Sequence, residues 1–307
     1  MNRREFAKNV VGATVGAATL SLGPNVARGA KIGNTGKGDA SHVPFELSVM
    51  LWTISPALPF EQRIAMVAQA GYKNVELVGE YTGWSEDDFL RAIAKRKELG
   101  ITFDATAGLK HGVANPNGRE GFLADLREAL SFMERLACPS IIVLSGDVAA
   151  GMTREMQHQS CVEGLEAAAA LVEGKKINGE PVRLLLETID PEENPRYFLT
   201  SMTEGFEIIK SVNHRQVQMV YDLFHEQIAE GNLIEKLEKN IQQVGLVHVA
   251  DVPGRHEPGT GEINYENIFR KLAELKYDRV VAMEFIPTGD PVQKLRDARE
   301  MVLRAVR

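Results

Sequence analysis

From Leu47 to the C-terminus, short apolar runs alternate eight times with longer stretches of helical periodicity. The runs are Leu47 to Trp52, Asn74 to Val78, Thr102 to Ala105 and Ser140 to Leu144, then Val182 to Glu187, Val217 to Tyr221, Gly245 to Val249 and Val280 to Phe285. Apolar residues fall three and four apart in Phe60 to Ala70, Glu86 to Leu99, Gly121 to Leu136 and Arg154 to Glu173. The same holds for Met202 to Val212, Asn232 to Gln243, Tyr265 to Leu275 and Pro291 to Val306. That spacing makes one apolar helix face, suited to packing on a sheet. Successive strand–helix units predict a parallel sheet, because each parallel return needs a crossover. Eight units are the number that closes a (β/α)8 TIM barrel. The rival, an open doubly wound sheet, would carry a glycine-rich phosphate turn after its first strand. Here that turn reads Trp52-Thr53-Ile54-Ser55-Pro56, and the chain has neither a Walker loop nor a Gly-x-Ser-x-Gly elbow. The expected fold is α/β, a (β/α)8 barrel over residues 44–307.

The residues before it read differently. Arg3-Arg4 is followed by Phe6 and Lys8, then by an uncharged stretch from Val10 to Leu22 rich in Val, Ala and Gly. A charged start and a short apolar segment are features of an export signal, and the segment is too short to span a bilayer comfortably. The arginine pair with Phe6 and Lys8 resembles a twin-arginine translocation signal. Small residues around Ala27-Arg28-Gly29-Ala30 offer a cleavage site. The expected organisation is a cleaved signal over 1–30, a Gly-, Lys- and Ser-rich linker over 31–43, and the barrel. The resemblance implies the twin-arginine export machinery as a partner and a periplasmic or other extracytoplasmic location. That route carries proteins that are already folded.

Charge narrows the partners. Lys plus Arg number 35 against 42 Asp plus Glu, a net of −7. A phosphate backbone is bound through many cations, so nucleic acid is not expected. Two cysteines, Cys138 and Cys161, cannot build a disulfide framework or a thiolate zinc site, and they read as small core residues.

In a β/α barrel the active site forms where the strands end. The second half of the chain places a metal-competent residue at four consecutive strand ends. Leu184-Leu185-Leu186 leads into Glu187, and Met219-Val220-Tyr221 into Asp222 followed by His225. Leu246-Val247 leads into His248, followed by Asp251 and Arg255, and Val281-Ala282-Met283 into Glu284. A carboxylate directly after apolar residues is about to be buried, which is costly unless something positive or hydrogen-bonding meets it. Three carboxylates and an imidazole brought to one point call for a divalent cation. Oxygen ligands with one imidazole suit Mn, Mg, Co or Zn and do not select among them. Taken singly, Asp222 reads equally as a helix N-cap, His248 as a structural histidine, and Glu187 and Glu284 as ion-pair partners. It is the register of the set that points to a metal.

Leu-Leu-Leu-Glu-Thr-Ile-Asp at 184–190, Tyr-Asp-Leu-Phe-His at 221–225 and the segment Val247 to Tyr265, which contains Arg-His-Glu-Pro-Gly-Thr-Gly-Glu-Ile-Asn-Tyr, resemble hydroxypyruvate isomerases. More widely, they resemble the xylose isomerase-like barrels that isomerise and epimerise sugars. The resemblance runs from about Phe45 to the C-terminus and is strongest after Gly146. It implies that Glu187 and Glu284 are the catalytic glutamates, and that they bind metal together with Asp222 and His248. It also implies that His225 and Arg255 contact substrate oxygens. Some hydroxypyruvate isomerases carry glutamine where this chain has His248.

Those residues suit proton abstraction beside a carbonyl, with a divalent cation stabilising the enediolate oxygens and the two glutamates moving the proton. Arg255 would grip a carboxylate or hydroxyl. The expected activity is isomerisation of hydroxypyruvate to tartronate semialdehyde, on a small hydroxy-keto acid. A sugar 3-epimerase or a lyase acting on keto-sugars outside the cytoplasm uses the same step and stays open, as does a non-catalytic carbohydrate-binding barrel. A DNA-repair endonuclease is opposed by the acidic charge and the export signal. Related barrels are often dimers or tetramers, which leaves a homo-oligomer open. Trp52 reads as an aromatic wall or a core residue, and Glu80 and His111 as pocket or solvated loop residues. Gly259 and Gly261 are expected to let the loop after strand seven turn tightly, and Lys175 to Glu180 reads as an exposed turn.

Overall fold

The computed structural model describes residues 43–307. The expected signal, and all of the expected linker except Val43, lie outside the described residues. Eight strands form a closed parallel barrel: β1 (Glu46–Met50), β2 (Asn74–Leu77), β3 (Thr102–Thr106), β4 (Ser140–Leu144), β5 (Arg183–Glu187), β6 (Val217–Asp222), β7 (Val244–Val249) and β8 (Val280–Met283). Each pairs with its neighbours in sequence, and β8 closes on β1 with Glu46 opposite Val280. The helices are α1 (Phe60–Gln69), α2 (Glu86–Leu99), α3 (Arg119–Leu136), α4 (Arg154–Val172), α5 (Met202–Val212), α6 (Leu223–Ala229), α7 (Leu233–Asn240), α8 (Tyr265–Glu274) and α9 (Pro291–Ala305). Local chemistry sets their starts: Ser85 makes a capping box with Asp88, and Thr153, Ser201 and Asp290 each accept a backbone N–H of the first turn. Among the described residues no helix is long and apolar enough to cross a membrane.

Strand alternation divides the core in two. Leu184 and Leu186 of β5 pack outward under the helices, whereas Leu185 points into the lumen with Met50, Ala105, Ile142, Val220, Leu246 and Ala282. Side chains two apart share a face of a strand. Glu187, Asp222, His248 and Glu284 each lie two residues after one of these lumen residues, so each inherits the inward direction.

Two bulges tune the register. Between β6 and β7, Met219 faces Val244 but Val220 faces Leu246, leaving Gly245 as the extra residue and Asp222 directly opposite His248. A one-residue slip would turn the strand's side chains to the other face. Gly245 has no room for a side chain, since a Cβ there would meet Leu185 at 2.5 Å. Between β2 and β3, Val75 faces Phe103 and Glu76 faces Ala105, which makes Asp104 the extra residue.

The structure corrects the sequence reading in two places. The helix expected over 232–243 is present as α7 and a short 3-10 turn, but an unexpected α6 precedes it, because Asp222 caps a helix start directly after β6. Gly231 and Asn232, both at positive φ, break the two apart. Lys175 to Glu180 is more than a turn: Lys176–Ile177 pairs with Glu180–Pro181 in a hairpin. Its tip is Asn178-Gly179, at φ of 54° and 86°, the backbone that a two-residue hairpin loop requires.

Candidate metal centre

Glu187 ends β5, Asp222 ends β6, His248 is the fifth residue of β7, and Glu284 follows β8 directly. Each offers a ligand atom, and the four atoms lie within 4.8 Å of one another. All four side chains are buried, none more than 2% exposed. Nδ1 of His248 lies 2.8 Å from Glu284 Oε2, 3.5 Å from Glu187 Oε1 and 3.7 Å from Asp222 Oδ2. Burial acts to lower the pKa of His248, but the surrounding charges, Glu284 and Glu76 foremost, raise it well above the ordinary value.

The ring of His248 is aimed from behind. Its Nε2 donates to Glu76 Oε2 at 2.9 Å, across the lumen from β2, which leaves Nδ1 facing the carboxylates. Asp222 serves two ends: Oδ1 accepts the backbone N–H groups of Phe224 and His225 at 2.8 and 3.1 Å, capping α6. Both sequence readings of Asp222 therefore describe the same side chain. Its Oδ2 is buried without a hydrogen bond. Buried polar atoms are almost always satisfied, so a buried carboxylate oxygen whose nearest donors stand 3.6 to 3.9 Å away, inside a cluster of acids, calls for a ligand. Three carboxylates with one imidazole, the latter braced by a carboxylate, are a donor set that fits a divalent cation.

Around this group lies a second layer of polar residues. Trp52, on the turn after β1, donates its indole N–H to Glu284 Oε1 at 2.8 Å. Arg255 places Nη2 at 3.0 Å from the same oxygen and Nη1 at 2.7 and 2.9 Å from the two oxygens of Glu193. Its guanidinium stands 5.4 Å from the Trp52 ring and 5.0 Å from Phe224. Against the pull of burial, Glu284, Glu193 and Asp222 hold its pKa above the ordinary value. Nε of Arg255 remains buried without a hydrogen bond. His225 bonds Asp190 Oδ2 through Nδ1 at 2.6 Å and places Nε2 at 3.6 Å from Asp222 Oδ2. Burial lowers its pKa, but Asp222 and Asp190 raise it more.

The loop that carries Arg255 is organised by Asp251. Its carboxylate accepts four backbone N–H groups, from Val252, Gly259, Gly261 and Ile263, at 2.8 to 3.1 Å. A Cβ at Gly261 would lie 2.0 Å from the Val252 carbonyl oxygen, so glycine is needed for that closure. Arg255 itself sits at φ +57°, a conformation that a non-glycine residue adopts only when its surroundings enforce it.

The structure thus brings together the six residues singled out from sequence. It also adds Glu76, Asp190, Glu193 and Trp52 as their partners, and Asp104 below them, bonded to Ser48 at 2.8 Å. Glu76 and Asp104 had a signal in the sequence, since each is an acid inside an otherwise uncharged strand. Glu80 and His111 lie elsewhere: Glu80 is half-buried beside Arg63 at 3.4 Å, and His111 is exposed and paired with Asp125.

Residues 64–305 match the model of the xylose isomerase-like TIM barrel family. The chain belongs to this family. It is 32% identical over 244 residues to a 2-oxo-tetronate isomerase of Haemophilus influenzae, covering 78% of this chain and 92% of that one. It is 29% identical over 233 residues to the hydroxypyruvate isomerase of Escherichia coli, covering 74% and 88%. Among solved structures, the barrel is similar to an AP endonuclease, family 2, from Brucella melitensis, with a TM-score of 0.73 and 25% identity over 83% of this chain and 98% of that one. Members of a barrel family share a scaffold and differ in chemistry, so the reaction has to be argued from the site.

Proposed function

We propose that the protein is a metal-dependent isomerase of short hydroxy-keto acids, with hydroxypyruvate to tartronate semialdehyde as its reaction. The observation that carries this reading is the convergence of Glu187 and Glu284, with Asp222 and His248, on one buried point. The names of the two relatives support it. Glu187, Asp222, His248 and Glu284 would hold the cation, which when bound supplies Lewis acidity toward the carbonyl and neighbouring hydroxyl oxygens. One glutamate takes a proton from C3 of hydroxypyruvate, and a proton is returned to C2 by the same pair. The C3 hydroxyl proton moves to the former carbonyl oxygen, so atoms and charge balance. Arg255 offers its Nε–H to a substrate oxygen, and His225, oriented by Asp190, contacts another. Trp52 and Arg255 both hold Glu284 in place.

Epimerisation of a keto-sugar starts with the same abstraction, and His248 in the ligand set favours it as the second reading. The net charge of −7 speaks against cleavage of DNA. Export through the twin-arginine machinery to the periplasm, proposed from Arg3-Arg4 and the apolar segment after it, would place the substrate outside the cytoplasm.

The test is exchange of the substrate's α-proton with deuterated water, on protein of measured metal content, offering hydroxypyruvate and keto-sugars in parallel. Exchange on hydroxypyruvate, lost in both Glu187→Gln and Glu284→Gln, is expected. Exchange on keto-sugars alone selects the epimerase reading. Exchange that survives both substitutions, or that needs no metal, rejects the site.

A further inference from the structure

The opposite mouth of the barrel gathers positive charge. A cavity of about 310 Å³ is lined by Lys175, Lys176, Arg183, Arg215, Arg279 and the side chain of Gln218, among others. Arg183 begins β5, Arg215 and Gln218 flank the start of β6, and Arg279 immediately precedes β8. These are all N-terminal strand ends, whereas the metal-competent residues stand at C-terminal ones. Four residues separate Arg183 from Glu187, and four separate Gln218 from Asp222, about 13 Å along a strand. A ligand in this cavity cannot touch a substrate at the other mouth.

The cations are poorly neutralised. Arg183 reaches Glu180 and Arg215 reaches Glu173, each at 3.7 Å, and both glutamates are exposed. Among the described residues, Lys175, Lys176 and Arg279 have no carboxylate at ion-pair distance. Arg279 is nevertheless fixed: Nη1 donates to the Val244 carbonyl, and Gln218, with its amide oxygen turned toward the guanidinium, accepts from Nη1 at 3.0 Å and Nη2 at 3.2 Å. Neutral acceptors orient the guanidinium without cancelling its charge. The two lysines are placed by backbone devices. Gln216 accepts from Gly174 N at 3.0 Å and donates to Val172 and Val182 carbonyls at 2.8 and 2.7 Å, anchoring the turn, and the Asn178-Gly179 hairpin fixes Lys176.

On a chain of net charge −7, five cations around one concave space repel one another unless an anion joins them. We propose that the N-terminal mouth is a binding site for a small multivalent phosphate anion, separate from the metal centre. Arginines match phosphate oxygens in pairs and lysines add point charge. The cavity lies at the lower end of the range for small-molecule sites, which suits a compact oxyanion better than a large ligand.

The test is calorimetric titration of the full chain with pyrophosphate and with inorganic phosphate, at about 0.15 M salt where weak surface attraction is screened. Stoichiometric binding of pyrophosphate is expected, about tenfold tighter than phosphate and weakened about tenfold or more in the Lys175→Gln/Lys176→Gln double variant. Both lysines are exposed, so that variant keeps the fold, with unchanged circular dichroism as the check. Asp222→Asn should leave pyrophosphate binding as it was. No binding, binding indifferent to the lysines, or binding lost in Asp222→Asn overturns the site. Association with phosphatidylglycerol vesicles without any binding of pyrophosphate overturns it as well.

Discussion

At the C-terminal mouth three carboxylates and an imidazole meet with no side chain more than 2% exposed, whereas at the N-terminal mouth Lys175, Lys176 and Arg215 stand in solvent. Both ends concentrate like charge, but they do so in different dielectric surroundings. Like charges buried in protein are screened far less than exposed ones. The acidic end therefore depends strongly on its counter-charge, which His248 and Arg255 supply in part, while solvent screens part of the repulsion at the basic end. Geometry explains the asymmetry. The end of β7 at the acidic mouth is covered by the long loop organised by Asp251, whereas the lysines of the basic mouth stand on an exposed hairpin before β5.

The comparison orders what experiments should find. The largest effect is expected at the acidic mouth in catalysis: Glu187→Gln or Glu284→Gln should lower α-proton exchange by about 10²- to 10⁴-fold, the usual contribution of a positioned acid or base. Next comes the counter-charge itself. With a divalent cation at about a hundred times its dissociation constant, the folded state gains roughly 2.7 kcal/mol. Melting temperature should rise on adding the cation and fall with chelator; equal melting in both conditions would break the proposed contrast. Third is the brace behind the imidazole. Glu76→Gln should weaken metal affinity about 10- to 100-fold, with turnover recovered at saturating metal. Titration calorimetry measures the first and activity against metal concentration the second; a turnover loss that metal does not rescue would make Glu76 a structural residue only. The smallest effect belongs to the basic mouth. Lys175→Gln/Lys176→Gln should raise unfolding stability by a few tenths of a kcal/mol, up to about 1 kcal/mol, in low salt, as befits exposed charges. Urea melts at low and high salt check this, and an effect independent of salt would contradict a screened, surface origin.

How much could be read in advance depended on distance along the chain. The eight strands and their order follow from local periodicity, and the inward direction of Glu187, Asp222, His248 and Glu284 follows from counting by two from Leu185, Val220, Leu246 and Ala282. The partners of those residues were not readable in this way. Glu76 meets His248 across 172 residues, on strands that are not neighbours in the barrel, so their contact depends on how the closed sheet is tilted and staggered. Arg255 was visible as a cation near the site, but its placement between Glu193 and Glu284 depends on a loop held by Asp251. The extra helix directly after β6 was missed because its seven residues are too few to show an amphipathic repeat, although Asp222 was readable as an N-cap.

Sequence alone determined the number of units, their parallel arrangement and which strand ends carry ligand-competent side chains, because each of these is written in spacing of a few residues. Tertiary structure decided which charges meet and which stay apart. Closure of the barrel sets β2 across from β7 and buries one charged mouth more deeply than the other. The bulge at Gly245 sets His248 opposite Asp222. Those outcomes depend on the shear and twist of the whole sheet, a property that no short stretch of residues specifies.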